Sequence, residues 1–273
     1  MKMKQKYKLT ILLAIVCLIA LFMVFAPGVA KHENIAVVGS SSVQPIAEKL
    51  AETYDDAHPQ FEITVQGGGS TMGLNSIKKG SAQIGTYSTK LDANKNPNIK
   101  QTKIATDAII IITNKANKLT DLSSEQLKDI FTGKITNWKD VGGEDGNINI
   151  VTREDGSGTR DAVEKLVLKG DDFKKDAIVQ SSTGSVIKTV QSDPNAIGYA
   201  SLADIKDDDI NKLEVNGVNA SEESIKSGDY VLQRPFLFLT NTTPSNSTQE
   251  FIDWVLSSEG QQYVRDQGLI PIN

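Results

Sequence analysis

An α/β fold is predicted for this chain by three observations. Short apolar runs alternate with amphipathic stretches from Ile35 onward, and three of the joints between them are built from Gly, Ser and Thr. The composition, 39% apolar and 23% charged over 273 residues, is that of a chain folding around a core.

The N-terminal stretch stands apart from that pattern. Lys2, Lys4, Lys6 and Lys8 precede an uncharged apolar run from Leu9 to Ala26, which marks residues 1–31 as an export signal or a membrane anchor. The run has 18 residues, longer than a cleavable signal core of about 7 to 15 and close to the roughly 17 or more that span a bilayer, so an uncleaved anchor is favoured. Gly28-Val29-Ala30 nevertheless offers a cleavage site. Cys17 lies inside the run, as a buried membrane cysteine would.

The remaining elements follow in order. Ile35 to Val38 reads as a strand, and Gly39-Ser40-Ser41-Ser42 opens a helix with Val43, Ile46, Ala47, Leu50, Ala51 and Tyr54 at helical spacing. Phe61 to Val65 is a strand, Gly67-Gly68-Gly69-Ser70-Thr71 a turn, and a short helix then runs to about Lys79 and stops at Gly80. After a strand at Gln83 to Thr86, the apolar run Ile104 to Thr113 is long enough to pass through two lobes. Ser123 and Gln126 form a capping box for a helix bearing Leu127, Ile130 and Phe131. The strand Ile148 to Val151 leads into Arg153-Glu154-Asp155-Gly156-Ser157-Gly158-Thr159 and a helix with Ala162, Val163, Leu166 and Val167 on one face. Strand, turn and helix recur from Ala177 to Val190, Ile197 to Ala200 and Phe236 to Leu239 are strands, and Ser247 with Glu250 caps a terminal helix carrying Phe251, Trp254 and Val255.

Several function classes are excluded by what the chain lacks. One cysteine forms neither a disulfide nor a thiolate zinc site, and two histidines, His32 and His58, leave little for imidazole chemistry. Beyond residue 30 the chain carries 25 basic against 34 acidic residues, a formal charge of −9, with no cluster of Lys and Arg. Such a surface repels nucleic acid, so DNA and RNA are not expected partners.

The informative feature is the joint used three times: a strand ends, a turn of Gly, Ser and Thr follows, and a helix begins. Each joint directs unpaired N–H groups and hydroxyls to one place, and such donors hold an oxyanion without net positive charge. Ser and Thr are also ordinary helix caps, which any single turn could be explained by. Arg153 sharpens the oxyanion reading, because its planar fork matches a tetrahedral anion; it can also pair with Glu154 or Asp155, and the two roles are compatible. Gly156-Ser157-Gly158 is not a nucleophile elbow, since Asp155 and Thr159 stand where that motif has Gly. Trp138 and Trp254 read as packing aromatics.

With Gly39-Ser40-Ser41-Ser42-Val43-Gln44-Pro45, Gly67-Gly68-Gly69-Ser70, Gly133-Lys134-Ile135-Thr136-Asn137-Trp138, Arg153 to Thr159 and Ala196-Ile197-Gly198-Tyr199 in this order, the chain resembles the PstS family, the phosphate-binding proteins of ABC transporters, from Ile35 to Asn273. The resemblance implies a two-lobed, type II periplasmic-binding-protein-like fold with the ligand in the cleft between lobes. Residues 32–112 with 233–273 would form one lobe and residues 113–232 the other. It implies no cofactor or metal, inorganic phosphate as ligand, an ABC permease as partner, and a monomer. Carried over by position, Ser41 and Ser42 belong to the first phosphate-contacting turn, Ser70 with Thr71 beside it to the second, and Arg153, Ser157, Gly158 and Thr159 to the third. One position departs: where some members place an aspartate that accepts a hydrogen bond from protonated phosphate, this chain has Ser88. Asp107 is either the missing acceptor or a strand-end turn residue. Other oxyanions such as sulfate, molybdate or tungstate, an enzyme acting on phosphate esters, and a phosphate-sensing or adhesive surface protein are the competing expectations.

Overall fold

The first joint is formed where strand β1, Glu33–Gly39, turns through Ser40 into helix α1, Gln44–Ala57, whose buried face is Ile46, Ala47, Leu50, Ala51 and Tyr54. A computed structural model of the chain describes residues 32–206 and 210–272; the N-terminal signal or anchor lies outside the described residues. β2, Phe61–Gly67, leads to α2, Ser70–Lys79, which Gly80 ends in the left-handed conformation. β3, Ile84–Tyr87, and the long β4, Ile99–Asn114, follow. After the short β5, Asp121–Leu122, the expected Ser123–Gln126 capping box is present on α3, Ser124–Thr132, an arrangement that stabilises a helix by about 1 kcal/mol.

β6, Asn149–Arg153, runs into α4, Gly158–Val163, which continues as a π-helical turn over Glu164–Leu168. The wider turn changes the phase of the buried face, so Leu168 is buried while Leu166 is only partly so. β7, Ile178–Gln180, α5, Thr183–Ser192, and β8, Ala196–Ser201, repeat the unit. Beyond them lie β9, Ile210–Val215, α6, Glu222–Ser227, β10, Gln233–Asn241, α7, Asn246–Leu256, and α8, Ser258–Asp266. The cap of α7 corrects the expectation from the sequence: Ser245, two residues earlier than Ser247, accepts from the Thr248 amide at 3.2 Å. A run of Ser and Thr offers several caps, and packing chooses the one that turns Thr248, Phe251, Ile252 and Val255 inward.

The strands form one mixed sheet in the order β2-β1-β3-β10-β4-β8-β6-β7, with β9 against β4 and β5. β1 and β3 are parallel, as are β6 with β7 and β8, whereas β4 and β10 run antiparallel to each other through the middle. Two large apolar cores flank this central pair, and a smaller third cluster, Ile77, Ala82, Ile99, Leu237 and Leu239, also draws on both strands. Ile104, Ala105, Phe236 and Phe238 belong to one large core, and Ala108 to Ile112 with Leu232 to the other. The cores therefore change over along β4 between Ala105 and Ala108, and along β10 between Leu232 and Phe236. Asp107 and Arg234, paired across the two strands, sit at that changeover.

Candidate anion-binding site

The C-terminal ends of β1 and β3 on one side and of β6 on the other bring the Ser and Thr turns together. The first turn depends on Gly39, whose φ of +146° and closeness to Thr86, 2.3 Å from an added Cβ to the carbonyl oxygen, suit only glycine. Beyond it Ser40 Oγ donates to Ser88 Oγ at 2.8 Å and lies 3.0 Å from Ser42 Oγ. Ser70 Oγ, at the start of α2, accepts from the Ser88 amide at 3.1 Å. From the other side Thr159 Oγ1 lies 3.4 Å from Ser42 Oγ, and Thr183 Oγ1 lies 3.4 Å from Ser41 Oγ. Ser42, Ser70, Ser88, Ser157 and Thr159 are all buried, so their hydroxyls must find partners inside the protein or on a ligand.

Arg153 closes β6 beside this cluster. Its Nε and Nη2 donate to the Glu154 carboxylate at 2.9 and 2.8 Å, and its Nη1 donates to Thr183 Oγ1 at 3.2 Å. Of the two pairings open from the sequence, Glu154 takes the fork and Asp155 instead meets Arg160 at 3.0 Å. The strand end is held from behind by Tyr199, whose hydroxyl accepts from the Arg153 amide at 3.2 Å and lies 2.7 Å from Thr152 Oγ1. Burial pushes that phenol up to about 12, so it stays protonated.

The sequence-derived residues do not all meet. Ser41, Ser42, Ser70, Ser88, Arg153, Ser157, Gly158 and Thr159 fall in or beside the cluster, whereas the side chain of Thr71 is exposed and its backbone N–H donates across to Gly156 O at 3.1 Å. Asp107 is buried inside β4 rather than at its start, and both oxygens are engaged, Oδ1 by Ser201 at 2.7 Å and Oδ2 by Arg234 at 2.9 Å. Burial raises the Asp107 carboxyl and the Arg234 charge opposes that rise. Three residues of the cluster were not singled out from the sequence: Ser40, Thr183 and Arg234. The Ser181-Ser182-Thr183-Gly184 turn after β7 carried a signal for Thr183, being a fourth joint of the same composition. Arg234 carried none beyond being a charge at the head of an apolar strand.

A second carboxyl lies near the Asp107–Arg234 pair. Both oxygens of Asp204, just after β8, are buried without a hydrogen-bond partner. Burial raises this carboxyl well above its ordinary 3.8, Asp107 adds to the rise, and Arg234, Lys206 and Arg153 oppose it. A raised carboxyl holds its proton more tightly in the folded chain than in the unfolded one. Its contribution to stability is therefore full below the ordinary value and is lost as pH rises through the folded value. Asp204→Asn, which stays neutral, is expected to melt higher than the parent by a margin that widens as pH is raised from about 4. A margin independent of pH in thermal melts would show that the folded Asp204 carboxyl is not raised above its unfolded value.

A sheet with two cores and a polar cluster at the strand ends between them defines a type II binding protein, and a family model described as a PBP superfamily domain matches residues 26–259. The phosphate-binding protein PstS of Bacillus subtilis is 32% identical over 243 residues, 88% of this chain and 81% of that protein. PstS of Borreliella burgdorferi is 32% identical over 254 residues, 89% of this chain and 91% of its own. An X-ray structure, with bound phosphate, of a Clostridium perfringens substrate-binding protein assigned to phosphate ABC transport has a TM-score of 0.85 at 37% identity and covers 88% of this chain and 100% of that one. The chain belongs to the PstS family of phosphate-binding proteins.

Proposed function

We propose that this chain is the extracytoplasmic receptor that captures inorganic phosphate and delivers it to an ABC permease for import. The observation that carries this reading is the buried cluster of hydroxyls and guanidinium groups drawn from both sides of the molecule, in a member of a family whose relatives are named phosphate-binding proteins. The ligand is held by Ser41, Ser42, Ser70, Ser88, Arg153, Ser157, Gly158 and Thr159, and Thr71 borders the cleft. The lobes that close on it are residues 32–112 with 233–273 and residues 113–232; these limits fall on or beside the two strands along which the cores change over. Phosphate is released unchanged, because the site supplies donors and no activated nucleophile. Calorimetric titration of the full chain in detergent with phosphate, sulfate, molybdate and tungstate tests the reading: phosphate is expected to bind and to be preferred, and heat from sulfate with none from phosphate would overturn it.

The receptor works as a monomer held at the outer face of the cytoplasmic membrane by its N-terminal segment, with the four lysines inside. The tether is residues 1–31, which carry the 18-residue apolar run Leu9 to Ala26; among the described residues no helix is long and apolar enough to cross a membrane. Mass spectrometry of the native protein decides this, since an N terminus at Lys31 in a soluble fraction would mean a cleaved signal.

A further inference from the structure

Arg234 lies between the two sides of the cleft and is not part of the three joints. It faces Asp107 directly across the β4–β10 ladder, at the point where the two cores change over. Its Nε donates to Asp107 Oδ2 at 2.9 Å, and Asp107 is itself held by Ser201 Oγ at 2.7 Å. The guanidinium also lies 5.2 Å from the Phe236 ring centroid. Fixed in this way, the fork sends Nη1 to Thr159 Oγ1 at 2.6 Å and Nη2 to Ser42 Oγ at 3.1 Å. At 3% exposure, its charge is little screened by water.

A hydroxyl has one proton and two lone pairs, whereas a guanidinium has donors only. Where Arg234 donates to a hydroxyl oxygen, that hydroxyl must direct its own proton to some other acceptor. Arg234 does this to two hydroxyls at once, one in the turn before α1 and one in the first turn of α4. A full charge behind each hydroxyl also makes it a stronger donor.

We propose that Arg234 is a positioning residue for the anion: anchored by Asp107, it turns the Ser42 and Thr159 hydroxyl protons toward the ligand from opposite sides of the cleft. Asp107 then serves as the anchor of the fork and not as the acceptor for the ligand's proton. Because the fork engages both hydroxyls only when both sides are within its reach, the same contacts favour the closed arrangement. This inference rests on the phosphate reading given above.

The test is a double-mutant cycle read by phosphate titration of the full chain in detergent. Arg234→Met alone would leave Asp107 buried without its counter-charge, so the two are replaced together as Asp107→Asn with Arg234→Met. In the parent background this pair is expected to weaken phosphate binding about tenfold or more; once Ser42→Ala and Thr159→Val have removed the hydroxyls, it should change affinity less than about twofold. An equal loss in both backgrounds, or no loss in either, would overturn the relay. Arg234→Lys gives a second arm that keeps the charge beside Asp107 but has no fork to reach two hydroxyls. It is expected to melt near the parent and still bind about tenfold more weakly, and parent-like affinity would contradict the proposal. A parent chain that binds no phosphate would overturn the underlying reading and the relay with it, whereas a parent that binds without coupling overturns the relay alone.

Discussion

Arg153→Ala is expected to weaken phosphate binding by about 2 to 5 kcal/mol, or roughly 30-fold to several thousandfold, while Lys134→Ala leaves it unchanged. The two cations differ in surroundings rather than in charge. Arg153 is 2% exposed at the end of β6, with its fork fixed by Glu154 and its Nη1 turned to Thr183 at the start of α5. Lys134 is 63% exposed and pairs with Asp129 at 3.2 Å. A buried, preoriented guanidinium meets an anion without reorganising, whereas an exposed ammonium works against bulk water. Equal effects of the two substitutions in calorimetry would remove Arg153 from the site.

Gly158→Ala is expected to lower phosphate affinity by about tenfold or more with little loss of fold. A Cβ there would come 2.3 Å from Ser70 Oγ and 2.5 Å from Ser88 Oγ, both on the opposite side of the cleft. Overpacking of this kind costs about 1 to 3 kcal/mol where it cannot be relieved. Here it is relieved by keeping the two sides apart, so the cost falls on closure and ligand binding. The contrast is Gly73→Ala in α2, where the new methyl would lie 2.7 and 2.8 Å from the backbone oxygens of Thr86 and Val38, both on the same side as Gly73. That substitution should lower the melting temperature instead. If small-angle scattering shows Gly158→Ala closing on phosphate like the parent, with unchanged affinity, the cleft does not close at this glycine.

These effects also show how far the sequence could be read. The turns at Ser41–Ser42 and Ser70 and the stretch Arg153 to Thr159 are local patterns, and local patterns of strand, small polar turn and helix place donors at strand ends without knowledge of the whole fold. The capping box at Ser123 was legible for the same reason. Asp107 and Arg234 were not legible as a pair, because the register of an antiparallel ladder joins residues 127 positions apart and nothing in either segment announces the other. The sequence therefore leaves Asp107 open as either an acceptor for the ligand or a strand-end turn residue, and the ladder instead takes its oxygens to Ser201 and Arg234. The π-helical turn after Val163 was hidden too, since apolar spacing alone does not reveal a residue inserted into a helix.

Hydroxyls and guanidinium groups from both sides of the cleft are expected to converge on one phosphate ion. A crystal structure of the chain grown with phosphate tests this most directly. The ion is predicted to lie within hydrogen-bonding distance, about 2.6 to 3.2 Å, of Arg153 and of the Ser42, Ser70 and Thr159 hydroxyls, with the Arg234 fork on the far side of Ser42 and Thr159. Phosphate bound away from these groups, or contacting only one side of the cleft, would contradict the account.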